Sequence, residues 1–330
     1  MRHYVVHECG DASVLQLNEA EMPSVSAGHV RIRVHAAGFN FIDIMKRSGR
    51  FPGPIETPFT PGQEVVGTID AIGSGVCDVK AGSRVVANLE LGGYAEYVIA
   101  AADRIFVVPD EINDHDALAL GGTQGQTAFG VTQSLKKPDG RPIFISAACG
   151  GVGSLLVQIC KNRGWSVIAG VSSDEKELLA RELGSIDVIR YDRIGWENEL
   201  QSLVGPSGGL AAALDSVGGD IYRGAFAALG NNAEIVFYGV ASGEPVGMPA
   251  ELAFNAIVRC QAARGFGLIG YFNNDPAILR HTIESMFEAA SSGAFGSIRT
   301  TEFSFEEAAT AHRAVEERRT TGKVLLTMTN

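Results

Sequence analysis

Two short segments near the N-terminus carry polar groups at the spacing of a metal site, yet hold none of the soft donors such a site needs. They are 36–52, AAGFNFIDIMKRSGRFP, and 62–67, GQEVVG. Asn40, Asp43, Gln63 and Glu64 offer amides and carboxylates, but neither segment has the thiolate or imidazole that binds zinc tightly. Asn and Asp also bond their own backbone readily, so a satisfied loop turn is the plain alternative for Asn40 and Asp43.

A second constellation lies at 148–153, ACGGVG, where an apolar strand (143–148, IFISAA) runs into a helical stretch at 152–164. The spacing is AxGxxG. Gly150 lets the backbone approach a pyrophosphate and Gly153 allows close helix–strand packing. With Gly151 and Val152 they open a helix whose N-terminus supplies free N–H groups and a positive dipole. Ala148 stands where the first glycine is usual, and a tight strand–helix turn is the competing explanation. About 20 residues further on, NAD binders place a carboxylate for the ribose hydroxyls. Here 170–176 reads GVSSDEK, with Ser172 at that place and Lys176 close by. A hydroxyl and an ammonium suit a 2′-phosphate, which favours NADPH over NADH. Asp174 and Glu175 weigh against this, because they could pair with Lys176; Asp174 is also the expected N-cap of the next helix. Cys149 is either a thiol whose pKa the helix dipole lowers or a small buried filler.

The surrounding pattern supplies the elements to position these groups. Up to about Ala119 the sequence reads as strands and turns, with alternating apolar residues at 30–36. Six short apolar strands follow, at 143–148, 167–171, 188–191, 211–215, 235–239 and 265–270, separated by amphipathic helices. That alternation predicts an α/β fold with a doubly wound, six-stranded parallel Rossmann sheet. A long helix (276–293), a second one (305–319) and a last strand (323–328) return to the β-rich first region. The expected domains are therefore 1–122 with 271–330, and 123–270. A net charge of −11 disfavours nucleic acid as the main partner. Five scattered cysteines without a CxxC pair argue against disulfides and a structural zinc lobe. With no signal-like or membrane-spanning run, a cytoplasmic protein is expected.

Taken in order, the segments 38–49 GFNFIDIMKRSG, 61–67 PGQEVVG, 71–76 AIGSGV, 80–85 KAGSRV, 92–97 GGYAEY, 122–129 GTQGQTAF, 150–153 GGVG, 214–219 LDSVGG and 318–323 RRTTGK carry a family likeness. The chain resembles the zinc-independent quinone oxidoreductases, the zeta-crystallin-like branch of the medium-chain dehydrogenases/reductases. The resemblance implies a GroES-like catalytic domain beside the Rossmann domain, and a homodimer. It implies metal-free hydride transfer from NADPH to quinones. The alternatives are reduction of activated C=C bonds in enones or enoyl thioesters, and a weakly active NADPH-binding interaction protein. Zinc-dependent relatives place Cys, His and Cys where Asn40, Gln63 and Thr123 stand here. Asp43 and Glu64 keep the carboxylates behind that site and are expected to hold the loop through ion pairs. Asn40 takes the catalytic place beside the nicotinamide, and Thr127 faces the same end. Lys176, Tyr191 and Arg318 match residues around the 2′-phosphate. Ser172, Ser216, Tyr238, Gly239, Val240 and Ala241 match the adenosine and ribose path. Met45 and Phe51 occupy places where some relatives carry tyrosines, so no tyrosine proton donor is expected in that loop.

Overall fold

The computed structural model describes residues 1–244, 246–247, 250–272 and 275–328. The chain opens with a hairpin of β1 (Arg2–Val6) and β2 (Leu15–Glu19). In β3 (His29–Phe39), Val30, Ile32 and Val34 are buried while Arg33 is exposed, the period of a strand with one solvated face. Then come α1 (Phe41–Arg47), β4 (Glu64–Ile72), β5 (Arg84–Asn88), β6 (Tyr97–Ala101), β7 (Ile105–Val107) and α2 (Asp114–Gly121). The two helices depart from the strands-and-turns expectation. α1 is too short for an apolar stripe to register. α2 is buried from Ala117 to Gly121, so after its acidic first turn it shows an apolar run rather than a helical period.

Helix α3 (Thr123–Gln133) leads to six strands: β8 (Ile143–Ile145), β9 (Val167–Val171), β10 (Asp187–Arg190), β11 (Leu210–Asp215), β12 (Leu229–Phe237) and β13 (Ala262–Gly265). Between them run α4 (Gly151–Asn162), α5 (Asp174–Leu183), α6 (Trp196–Val204), α7 (Gly219–Ala227) and α8 (Ala253–Arg259). After β13 come α9 (Leu268–Phe272), α10 (Pro276–Ser291), β14 (Thr300–Ser304), α11 (Ala308–Glu316) and β15 (Lys323–Thr327).

The second sheet runs β10-β9-β8-β11-β12-β13, parallel throughout. β8 and β9 are apolar and buried along their length, as strands covered on both faces must be. The strand order reverses between β8 and β11, so loops at their carboxyl ends diverge and leave a crevice. The first sheet runs β14-β15-β3-β4-β5-β7, with β6 also on β3. In it β15 lies antiparallel to β3 with Val324 opposite Phe39, which carries Lys323 to the end of β3.

Two compact units result. One comprises Met1–Gln126, Pro276–Ser292 and Arg299–Asn330; the other comprises Thr127–Asp275 and Gly293–Ile298. The first break falls inside α3 rather than at 122/123. The short piece 293–298 joins the second unit because Gln158 of α4 donates to Ser297 O (3.2 Å) and accepts from Gly296 N (2.8 Å). Each unit has its own core, around Val30, Ile32, Phe39 and Tyr94 in the first and Phe144, Ile168, Trp196 and Phe226 in the second.

Two local expectations are corrected. The sixth strand is 262–265, not 265–270, and Leu268–Phe272 is helical; so short an apolar run fits either state. The N-cap of α5 is Ser173, whose Oγ accepts from Lys176 N (3.3 Å), while Asp174 turns away to pair with Arg190 and Arg193. The helix ends at Gly184 with φ +105, a left-handed turn that glycine takes without strain. Among the described residues no helix is long and apolar enough to cross a membrane.

Candidate active site

In the second unit the turn from β8 into α4 is built on backbone contact. A Cβ on Gly153 would lie 2.2 Å from Ala147 O and 2.9 Å from Ala148 Cα, so only glycine fits. Gly150, the N-cap, has an ordinary φ of −78, and an added Cβ would meet nothing nearer than Ala147 O at 3.2 Å. Packing alone does not demand glycine there. The open side suits a ligand approaching the backbone. The N–H groups of Gly151, Val152 and Gly153 fall in the first turn, where the helix offers them no acceptor. The left-handed residue of the turn is Ala147 (φ +47), one place before Ala148, which explains why no glycine is needed at 148. The arrangement fits a dinucleotide pyrophosphate.

The other expected residues of this unit follow the carboxyl ends of neighbouring strands. Ser172 follows β9, and Tyr191 follows β10, with its N–H on Val171 O (3.1 Å). Ser216 follows β11; its N–H donates to Ser146 Oγ (3.0 Å), which in turn donates to Asp215 Oδ1 (2.6 Å). Asp215 also accepts from Gly218 N (2.8 Å), and burial raises its pKa. Positive φ at Gly218 and Gly219 makes a turn sufficient to explain them. Tyr238 N donates to Asp215 O (2.8 Å) and Ala241 N to Ser216 O (3.0 Å), tying 238–241 to β11. Inside that loop a Cβ on Gly239 would lie 2.8 Å from Ser216 O, and Val240 is half-buried. Thr127 is buried in α3, and Lys176 sits in the first turn of α5. Arg318 belongs to the first unit. It is exposed and takes φ +59 just after α11, an uncommon conformation for a residue with a Cβ.

Of the two readings of Cys149, the structure favours the small buried filler over the activated thiol. Its side chain is buried, Sγ donates to Lys176 O at 3.1 Å, and burial pushes the thiol up to about 12. Desolvation outweighs the nearby Lys176 charge.

In the first unit the residues of the empty-handed metal pattern surround an ammonium. Lys323, 1% exposed, donates from Nζ to Phe39 O (3.1 Å), to Asn40 Oδ1 (3.1 Å) and to Glu64 Oε1. Glu64 Oε2 accepts from Thr123 N (2.5 Å). Burial opposes ionisation of Glu64, but the Lys323 charge and the hydrogen bonds prevail and hold its carboxyl below the usual range. Two glycines make room for it: a Cβ on Gly38 would lie 2.3 Å from Glu64 Oε1, and one on Gly122 would lie 2.7 Å from Oε2. Gln63 turns elsewhere, Nε2 donating to Glu90 O (3.2 Å). Among the described residues no group of three or more His, Cys, Asp or Glu is placed to hold a metal. Asn40 is 4% exposed, and its Nδ2 has no hydrogen-bond partner among the described residues. Lys323 was missed from the sequence, although a lone cation opening the apolar strand KVLLT was a signal.

The expected ion pair holds for Glu64 but, among the described residues, not for Asp43. Asp43 accepts instead from the backbone N–H of Asn40 (2.9 Å) and of Gly62 (3.2 Å). Burial, reinforced by the Glu64 charge, raises its pKa from 3.8 to about 7. The native protein thus keeps a proton that the unfolded chain has released. The stability Asp43 contributes is complete below about pH 4 and is lost as pH rises to about 7. Asp43→Asn is expected to flatten this part of the profile, read as melting temperature between pH 4 and 8. An unchanged slope would mean that Asp43 is ionised throughout.

Against known proteins, the alcohol dehydrogenase GroES-like domain family matches residues 26–110, and the zinc-binding dehydrogenase family matches residues 151–286. A quinone oxidoreductase-like protein 2 from Bos taurus is 30% identical over 329 residues, 99% of this chain and 93% of its own. A 2-haloacrylate reductase from a Burkholderia species is 29% identical over 329 residues, 98% of this chain and 97% of its own. The crystal structure of Escherichia coli quinone oxidoreductase complexed with NADPH matches with a TM-score of 0.90 at 28% identity, covering 99% of this chain and 100% of that one. With both domains matched in order and a relative 30% identical along nearly its whole length, the chain belongs to the zinc-independent quinone oxidoreductase family of the medium-chain dehydrogenases/reductases.

Proposed function

We propose that this protein is an NADPH-dependent, metal-free reductase of quinones. The observation that carries the reading is the buried Lys323 ammonium, which holds Asn40 and Glu64 where a catalytic zinc would need thiolate and imidazole donors. NADPH supplies a hydride when bound. Gly151, Val152 and Gly153 offer backbone N–H groups to its pyrophosphate, and the open side of Gly150 lets it approach. Ser172, Ser216 and the 238–241 loop line the ribose path, and Thr127 and Asn40 serve the nicotinamide end. Lys176, Tyr191 and Arg318 take the 2′-phosphate. The Escherichia coli structure, crystallised with NADPH at 28% identity, supports this choice of cofactor. Quinone reduction asks little else of the side chains: one hydride reaches the ring and water returns a proton to the oxygen. A cytoplasmic homodimer completes the proposal. The dimer is supported by the edge position of β13 and by exposed Phe254, Ile257 and Val258 on α8, which packs against β12.

A second reading, reduction of an activated C=C bond, draws support from the 2-haloacrylate reductase relative, whose named substrate is a conjugated alkene. The deciding experiment is NADPH and NADH turnover against a panel of quinones, enones and alcohols, with zinc content measured on the same preparation. Quinone turnover without stoichiometric zinc is the expected result. Preference for enones selects the second reading. Tight NADPH binding with negligible turnover of every acceptor points to a binding protein, and one tightly held zinc needed for activity overturns the metal-free assignment.

Cofactor choice gives a sharper expectation. A charge-assisted hydrogen bond is worth roughly 1.5–3 kcal/mol, so Lys176→Ala and Arg318→Ala should each weaken NADPH binding about 10- to 100-fold. NADH, without the phosphate, should bind each variant as it binds wild type. Dissociation constants for both cofactors, from nucleotide fluorescence, test this. Equal weakening of both would assign the two residues to the fold instead.

A further inference from the structure

We infer that Lys323 is a positioning residue: it locks the Asn40 amide so that Nδ2, not Oδ1, is presented to the carbonyl oxygen of the acceptor. The inference rests on the reductase reading above and adds a residue pair to it.

The orientation follows from proton inventory. An ammonium has three donors and no acceptor, so the Asn40 atom facing Nζ at 3.1 Å must be the oxygen. A flipped amide would set NH₂ against NH₃⁺ with both groups almost fully buried. The lysine itself has no freedom to yield, because its three contacts, Phe39 O, Asn40 Oδ1 and Glu64 Oε1, use all three protons. Behind it, Glu64 is fixed by Thr123 N and enclosed at Gly38 and Gly122. The backbone of Asn40 is fixed separately, its N–H on Asp43 Oδ2 at 2.9 Å. Every part of Asn40 is thus anchored except Nδ2, a buried donor with no hydrogen-bond partner among the described residues. Buried donors are normally satisfied, and an acceptor on a bound ligand would satisfy this one.

The chemistry of the proposed reaction supplies that acceptor. As hydride arrives at a carbon of the quinone or enone, the conjugated π pair moves onto the carbonyl oxygen. The charge grows there until water donates the balancing proton. A preoriented N–H aimed at that oxygen binds the developing oxyanion more strongly than the neutral carbonyl, which accelerates the step. The positive charge of Lys323, on the Oδ1 side of the amide, reinforces its polarity.

Asn40→Asp tests the donor. It keeps an oxygen toward Lys323 but replaces the amide NH₂ with a second oxygen, so kcat at saturating NADPH should fall about 100-fold, with circular dichroism confirming that the variant is folded. Glu64→Gln combined with Lys323→Met tests the positioning, since it removes both buried charges together and frees the amide to rotate. That pair should lower kcat about 10-fold or more in wild type and leave kcat unchanged in an Asn40→Ala background. A purely structural role would lower kcat by the same factor in both backgrounds, and that outcome overturns the inference, as does full activity in Asn40→Asp. If wild type turns over no quinone or enone, the reductase reading falls and the inference with it. If wild type is active and only the coupling is missing, the inference alone falls.

Discussion

Lys323→Met is expected to lower folding stability by about 3–5 kcal/mol, because it strands the fully buried Glu64 carboxylate without its counter-charge. The penalty belongs to the unpaired ion rather than to the methylenes, which methionine largely replaces. Adding Glu64→Gln should therefore return most of the loss, since an amide in that cavity can still accept from Thr123 N and no longer needs a cation. Chemical denaturation of wild type, both single variants and the double variant closes the cycle. A double variant as unstable as the sum of the singles would show that the two residues act independently.

Gly153→Ala is expected to damage both stability and cofactor binding. In an ordinary helix such a change gains about 1 kcal/mol, because alanine has less backbone freedom to lose. Here the added methyl would meet only backbone, with Ala147 O at 2.2 Å and Ala147 C at 2.9 Å. No flexible side chain can give way, so the start of α4 must shift. An overpacking cost of roughly 1–3 kcal/mol outweighs the helix gain. The same shift moves the free N–H groups off the pyrophosphate; losing one charge-assisted bond weakens NADPH about 10- to 100-fold. Denaturation and fluorescence titration report the two effects separately. A variant that is more stable and binds NADPH normally would mean that the turn has slack.

Much of this was legible in the sequence, and the reasons differ by element. The parallel strands announced themselves because burial on both faces leaves runs such as VIAGV with no polar interruption. The glycine turn was legible because close backbone approach at 153 leaves one residue type. What failed was what depends on contacts distant in the chain or on a single local hydrogen bond. Ser173 rather than Asp174 caps α5 because Arg190 and Arg193 draw the carboxylate away, and neither arginine is a sequence neighbour of Asp174. Cys149 was expected either to react or to fill space, and depth of burial, which spacing does not encode, decided for the second. Asn40, Asp43 and Glu64 were singled out, but the cation that organises them came from the far end of the chain.

That distance has a consequence for synthesis. The bond from Lys323 to Asn40 spans 283 positions, and β15 is synthesised after every other described strand of its sheet. The Rossmann sheet, complete by Gly265, can therefore form while the nascent first sheet still lacks β15. Until Lys323 has been made, Glu64 lacks this counter-ion and Asn40 lacks the ammonium that orients it. Under the proposed function, a chain cut short before Lys323 would keep the nucleotide-binding unit while the Asn40 site stayed unassembled.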